Sequence, residues 1–232
     1  VRQGGVLSPY LFGIYVDKLL QTLHSSGYGC VIKGIVCNAF MYADDLIILT
    51  ASVVHLQKLL AICQNELNDI GLSLNLKKSK LLRVGKRFKV NIANICVGGI
   101  PLECCNEMRY LGVFLKSGLV LQFNFEPGKR KFYASVNNIL SRVGTAKPDV
   151  VLSLCNSFAV PCLLYGSEAM LINKSQRRLL DNPFKRLFVK LFNITDNQSI
   201  AYCQYYCLPA YYRITARTCK FLESCKQSSF VL

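Results

Sequence analysis

The sequence predicts an α+β fold in two parts, a mixed region over residues 1–117 and a mostly helical one over 118–232. Three observations predict it. Before residue 118, short runs rich in Ile and Val alternate with turn residues and with two longer segments of helical period. From about Asn124 the apolar spacing is helical. The 232 residues are 52% hydrophobic and 18% charged, enough for one sizeable core with a small satellite, and this excludes a disordered tail, a collagen or a coiled coil.

The first element is a helix. Ser8 reads as its N-cap and Pro9 as its first helical residue; Leu11, Ile14, Tyr15, Leu19 and Leu23 recur at helical spacing, and Gly27 and Gly29 close it. Two apolar runs follow, Gly34 to Met41 and Leu46 to Ala51. They are too short for helices and read as strands, with Tyr42-Ala43-Asp44-Asp45 as the hairpin turn between them. Ser52 opens a second helix that sets Val53, Leu56, Leu59, Leu60, Cys63 and Leu67 on one face, and Gly71 is its C′ residue. Residues 72–115 read as short strands with turns at Gly85, Gly98-Gly99-Ile100-Pro101 and Gly112. Candidate helices then cover 127–143, 149–160, 174–192 and 209–223. There is no internal repeat, so the change of pattern near residue 118 is the predicted boundary.

The formal charge is +15, from 28 Lys and Arg against 13 Asp and Glu. Such an excess points to a polyanion, either nucleic acid or an anionic membrane surface. Residues 127–232 hold 15 basic and 5 acidic side chains and are the more cationic part. Between Asp69 and Glu103 there is no acid, while Lys77, Lys78, Lys80, Arg83, Lys86, Arg87 and Lys89 crowd together. That run is a solvated loop or a groove for a phosphate backbone. The 12 cysteines lie scattered through apolar runs and read as small buried hydrophobes of a reducing compartment. Cys203/Cys207 and Cys219/Cys225 are spaced loosely for zinc, with neither histidine nearby. The uncharged stretch Val150 to Ser167 carries Ser153, Asn156, Ser157 and Pro161 and makes a poor bilayer span, so no membrane partner is expected. The chain starts Val1-Arg2-Gln3 without Met and reads as a piece of a longer frame.

Asp44-Asp45 is the place where chemistry is expected. Two adjacent acids between strongly apolar runs repel one another, and a desolvated carboxylate costs several kcal/mol unless it is paired or bound to metal. A divalent cation would resolve both conflicts, since Mg²⁺ takes carboxylate oxygens together with substrate phosphates and water. A plain Asp-Asp turn exposed to water is the alternative.

The surrounding segments decide between them. Tyr42-Ala43-Asp44-Asp45 in a hydrophobic hairpin resembles the catalytic motif of reverse transcriptases. Arg2-Gln3-Gly4-Gly5-Val6-Leu7-Ser8-Pro9 resembles the segment before their palm helix. Gly71-Leu72-Ser73-Leu74-Asn75-Leu76-Lys77-Lys78-Ser79-Lys80 looks like their next motif, and Tyr110-Leu111-Gly112-Val113 is similar to their primer-grip hairpin. Leu164-Tyr165-Gly166-Ser167-Glu168 looks like a segment beyond the palm in retrotransposons without long terminal repeats. Five motifs in order, over roughly residues 1–170, make the chain resemble a LINE-type, non-long-terminal-repeat (non-LTR) retrotransposon reverse transcriptase.

The resemblance implies a right-hand polymerase fold, an antiparallel palm sheet with packed helices over 1–117 and a helical, basic thumb-like region over 118–232, with fingers and first palm strand missing. It implies RNA-directed DNA synthesis by two-metal nucleotidyl transfer with Mg²⁺, or Mn²⁺ in its place. Its partners would be an RNA template, a DNA primer and deoxynucleoside triphosphates, in an intracellular setting, nuclear or cytoplasmic. Asp44 would be the metal-binding carboxylate and Asp45 its supporting neighbour. Tyr42 would lie near nucleotide and primer end, and Arg2, Gln3 and Gly4 would line the nucleotide and template pocket. Lys78 would approach the triphosphate and donate a proton to pyrophosphate. Tyr110, Leu111 and Gly112 would position the primer. Lys129, Arg130, Lys131, Arg177, Arg178, Lys185 and Arg186 would follow the nucleic-acid backbone. Tyr202, Tyr205, Tyr206, Tyr211 and Tyr212 would pack helices or, alternatively, stack on bases. The family also needs an earlier aspartate, and Asp17 is misplaced for it, so the chain alone is expected to be inactive. The alternative is a catalytically inactive remnant, or a co-opted module that binds RNA or RNA–DNA.

Overall fold

The computed structural model describes residues 4–143, 147–207 and 210–227. The first helix, α1 (Ser8–Ser25), starts a residue earlier than expected, with Leu7 at the cap position and Ser8 already helical. Its buried stripe is Val16, Leu19 and Leu23. Leu11, Ile14 and Tyr15 share the predicted period but are exposed, because the core that α1 packs on begins at its third turn.

The run expected as one strand from Gly34 to Met41 is two. β1 (Cys30–Ile32) pairs antiparallel with β2 (Ile35–Cys37), and β3 (Ala39–Tyr42) pairs antiparallel with β4 (Asp45–Ile48). Asn38 separates them. It is fully buried, and its Nδ2 donates to the Leu23 carbonyl at 2.5 Å and the Tyr28 carbonyl at 2.8 Å. A buried amide committed to two loop carbonyls turns the chain from one partner strand to the next.

Helix α2 (Val53–Asp69) carries both of its sequence signals. The Ser52 hydroxyl accepts from the His55 N–H. At the other end Gly71, at φ +71°, donates to Asn68 O at 3.0 Å while Leu72 donates to Leu67 O at 2.8 Å. These paired bonds form a Schellman motif, and its left-handed residue favours glycine. Leu19 and Leu23 of α1, Ala39 of β3, and Leu59, Cys63 and Leu67 of α2 form one core.

Five short strands follow: β5 (Lys80–Leu82), β6 (Cys96–Val97), β7 (Ile100–Pro101), β8 (Glu103–Cys105) and β9 (Glu107–Tyr110). Gln57 of α2 pins β6, donating to Cys96 O at 2.6 Å and accepting from Cys96 N–H at 3.0 Å. β5 pairs parallel with β8, which departs from the single antiparallel sheet expected. Two more strands, β10 (Val113–Lys116) and β11 (Gln122–Phe123), complete a three-stranded sheet in the order β11-β10-β9. The other described strands pair two by two.

The chain divides into two compact units, one running through Tyr110 with Leu115–Gln122, the other comprising Leu111–Phe114 and the chain from Phe123 onward. In the second unit come α3 (Glu126–Val143), α4 (Pro148–Leu154), α5 (Val160–Leu163), α6 (Lys174–Phe192), α7 (Asn197–Tyr206) and α8 (Ala210–Gln227). The predicted helix 149–160 therefore runs on through one π turn, Cys155–Ala159, where Val160 N–H reaches back to Cys155 O. Pro161 comes next, and its missing N–H and its ring account for the wider turn. α6 opens on a capping box of Asn173 and Gln176. α7 has no counterpart among the expected helices. Asp196 caps it at 2.7 Å from Ser199 N, but only Ile200 is buried, so it shows almost no periodicity. Residue 209, where the last helix was expected to begin, lies outside the described residues. The core of this unit gathers Phe132, Val136, Leu163, Leu180, Phe184 and Phe188.

None of the 12 cysteines is joined in a disulfide. Cys37, Cys63 and Cys155 are buried, and burial pushes the Cys63 thiol up to about 12. Cys30 and Cys96 are only half-buried, and Cys104, Cys219 and Cys225 are exposed, so the expectation of uniformly buried cysteines is corrected. Among the described residues no helix is long and apolar enough to cross a membrane.

Candidate functional site: an acidic hairpin tip and a basic helical face

The hairpin register is Ala39↔Ile48, Phe40↔Ile47, Met41↔Leu46 and Tyr42↔Asp45. That leaves Ala43 and Asp44 as a two-residue turn. Ala43 adopts φ +52°, a left-handed conformation that costs an L-residue about 1–2 kcal/mol. Strand pairing and the anchoring of Ala39 in the core hold it there. His24 Nε2 lies 3.1 Å from Ala39 O, which ties the base of the hairpin to α1.

Tyr42, Asp44 and Asp45 are all exposed. This corrects one step of the sequence argument: the two carboxylates are not desolvated, so burial does not drive them to a metal. What remains is two like charges side by side on a narrow tip, a hard oxygen donor set of the kind Mg²⁺ accepts alongside phosphates and water. Among the described residues, no group of three or more His, Cys, Asp and Glu side chains is arranged to hold a metal.

Asp45 acts on Tyr110, the last residue of β9. Burial raises the phenol's pKa first, and the Asp45 charge raises it further by opposing the phenolate. Neutralising that charge should lower the midpoint: Asp45→Asn is expected to shift the Tyr110 titration, followed by its ring-carbon NMR signal, to lower pH. An unmoved midpoint would mean the two side chains do not face one another.

Asn75 organises the lysine-rich turn that follows. Lys78 N–H donates to Asn75 O at 3.1 Å and to its Oδ1 at 3.2 Å, and Ser79 N–H donates to Asn75 O at 2.9 Å. The Lys78 side chain is exposed. Lys80 is not free like its neighbour, being ion-paired to Glu103. Arg2 and Gln3 lie outside the described residues. Gly4 takes φ +84°, and a Cβ built there meets nothing within 4 Å. Backbone conformation, not crowding, accounts for glycine at that position.

Leu111 (φ +45°) and Gly112 (φ +82°) form the turn between β9 and β10. Tyr165 Oη donates to Leu111 O at 3.0 Å, so two segments picked out separately in the sequence meet.

On the helical unit, Lys129, Arg130 and Arg186 line one cavity of about 240 Å³ together with Glu126, Tyr133 and Asn182. Glu126 sits 2.6 Å from Lys129 and offsets part of the positive charge. Lys131, Arg178 and Lys185 are exposed and lie outside that cavity, while Arg177 stacks on Tyr211 with its guanidinium carbon 4.5 Å from the ring centre. The packing role expected for the tyrosines is corrected for Tyr202, Tyr205, Tyr206 and Tyr212, which are exposed, whereas Tyr211, also exposed, meets Arg177 of α6. Their rings form two edge-on pairs, Tyr205–Tyr206 and Tyr211–Tyr212. Sequence reasoning missed Tyr133 and Asn182, which carry no charge and are brought to the cavity only by the crossing of α3 with α6.

Residues 1–115 match the family model of reverse transcriptase (RNA-dependent DNA polymerase). The chain is 34% identical over 176 residues to the retrovirus-related Pol polyprotein from type-1 retrotransposable element R2 of Popillia japonica, covering 72% of this chain and 24% of that protein. It is 34% identical over 129 residues to the Pol polyprotein from type-2 retrotransposable element R2DM of Drosophila melanogaster, covering 52% of this chain and 12% of that protein. The chain thus spans a quarter or less of the length of these two relatives. Matched to a reverse transcriptase model over its first half and to R2 polyproteins over most of its length, the chain belongs to the reverse transcriptases of non-LTR retrotransposons.

Proposed function

We propose that the chain is part of an RNA-directed DNA polymerase and that a primer 3′ end reacts at the tip of the β3–β4 hairpin. The observation that carries this is the pair Asp44-Asp45, displayed at the end of a hairpin whose strands are anchored in the α1–α2 core, one on its two-residue turn and one opening β4. When bound there, Mg²⁺ or Mn²⁺ supplies Lewis acidity to the attacking hydroxyl and charge neutralisation to the leaving pyrophosphate. Asp44 holds the metal and Asp45 supports it. Tyr42, opposite Asp45, flanks the nucleotide and primer end. Gly4, with Arg2 and Gln3, lines the nucleotide and template pocket, its open flank leaving room for a base. Lys78, set by the Asn75 turn, reaches the triphosphate and gives a proton to pyrophosphate. Tyr110, Leu111 and Gly112 position the primer strand.

In this reading residues 1–117 are a palm segment and 118–232 a thumb-like region. Lys129, Arg130 and Arg186 grip backbone phosphate from one cavity, while Lys131, Arg177, Arg178 and Lys185 extend the positive face. Contacts of this type give affinity without reading sequence. The exposed tyrosines offer ring faces to unpaired bases. The substrates are an RNA template, a DNA primer and deoxynucleoside triphosphates, in an intracellular compartment, nuclear or cytoplasmic.

A Mn²⁺ titration followed by paramagnetic broadening checks the metal step. Signals from Tyr42 to Asp45 are expected to broaden first, and Asp44→Ala to remove the effect; broadening centred elsewhere sinks the site. With two carboxylates at the tip and, among the described residues, no third grouped with them, the 232 residues alone are expected to extend oligo-dT on poly-rA weakly or not at all. Robust incorporation that disappears in Asp44→Ala would overturn that expectation. The shared basic cavity favours a second reading, a co-opted or remnant module that binds RNA or RNA–DNA duplex without chemistry. There, salt-dependent duplex binding persists while Mn²⁺ leaves the hairpin signals sharp.

A further inference from the structure

The turn at Leu111-Gly112 is poorly suited to its own sequence. Two successive positive φ angles, +45° and +82°, suit Asn-Gly or Asp-Gly, and a leucine in the first position is strained. Strain of this kind persists only where the surroundings impose it, and it clusters at functional sites. Here the surroundings are Leu164–Glu168. Tyr165 Oη donates to Leu111 O at 3.0 Å. Its ring lies flush on the turn, so a Cβ at Gly112 would sit 3.0 Å from Tyr165 Cε1. The next residue, Gly166, is at φ +73°, and a Cβ there would stand 2.9 Å from Cγ2 of Val113, the first residue of β10. Behind them Ser167 is buried, its hydroxyl donating to Leu164 O at 2.7 Å, and Glu168 lies 3.4 Å from Arg217 Nε on α8. Tyr165 is itself 58% exposed, so hydrophobic burial does not explain its placement.

We propose that Tyr165 is a positioning residue for the Leu111-Gly112 turn: its hydroxyl locks the strained turn in the one conformation that presents the primer terminus. This rests on the reading of Tyr110-Leu111-Gly112 as primer-positioning residues and extends it to a residue some fifty positions away. The ring could be supplied by phenylalanine; the hydroxyl bond could not. Tyr165→Phe therefore separates holding the turn from packing against it.

The 232-residue chain is bound to an RNA template annealed to a DNA primer ending in 2-aminopurine. Overall affinity is read from a dye at the far end of the template, and the terminus from 2-aminopurine fluorescence. Tyr165→Phe is expected to leave the melting temperature unchanged and the affinity within twofold of wild type, while the fluorescence change on binding falls at least threefold. Gly112→Ala, which crowds the same ring, is expected to abolish that change. If Tyr165→Phe keeps the full change while Gly112→Ala loses it, the role of Tyr165 is refuted and the primer reading stands. If wild type gives no change at the terminus, the primer reading fails and the role of Tyr165 with it.

Discussion

Gly29→Ala is expected to destabilise the first unit by about 3–5 kcal/mol, combining the strain of a forbidden backbone conformation with overpacking. Gly29 sits at φ +131°, and a Cβ there would stand 2.4 Å from Asn38 Cβ and 3.1 Å from Asn38 Cα. Asn38 has nowhere to move. It is fully buried, and its amide is committed to the carbonyls of Leu23 and Tyr28, at the end of α1 and just after it. Pushing it aside breaks both of those bonds and displaces the start of β3, which carries the acidic tip. Hydrogen exchange of the α1 and α2 amides under increasing urea measures the loss. Gly27→Ala is the control: Gly27 is also left-handed, at φ +71°, but a Cβ there meets nothing within 4 Å. That variant is expected to cost only about 1–2 kcal/mol, the conformational part alone. Equal losses in the two variants would show that the close approach to Asn38 carries no energy.

Phe132→Ala is expected to cost the helical unit about 3–5 kcal/mol, as truncation of a fully enclosed aromatic does. The Phe132 side chain has no exposure, and its ring lies 5.6 Å from that of Tyr133 and 5.8 Å from that of Phe184. The Phe184 contact lies where α3 packs against α6. Lys129 and Arg130 stand on the first of these helices and Arg186 on the second, around one cavity. A void beneath them loosens that arrangement, so affinity for an RNA–DNA duplex should fall along with the melting temperature. Lys131 stands on the exposed face of α3 away from the cavity, and Lys131→Ala should weaken binding with the melting temperature unchanged. A Phe132→Ala protein that melts like wild type would mean that the core is not packed as described.

The parts of this protein legible from the sequence are those set by neighbours within a few residues. Ser52 as a cap, Gly71 as the left-handed residue after α2, the extents of α3 and α6, and the placing of Asp44-Asp45 at a turn all follow from short-range bonds and spacing. The same short range leaves α7 illegible in the sequence, since a helix with one buried side chain carries no periodic pattern. It also explains why Leu11, Ile14 and Tyr15 keep the helical period of α1 and yet stand exposed: period says which residues share a face, not whether anything covers it.

Burial, pairing and convergence depend on residues far away in the chain, and there only the tertiary structure decided. It split the run before Met41 at Asn38, because that amide answers carbonyls 10 and 15 residues earlier. It exposed the two carboxylates that their apolar flanks suggested were enclosed. It brought Tyr165 onto Leu111 across 54 positions, and Arg186 beside Lys129 and Arg130. Local preference chooses helix, strand or turn through bonds a chain segment makes with itself, whereas the environment of a side chain is fixed by which distant surfaces the collapsed core presses together.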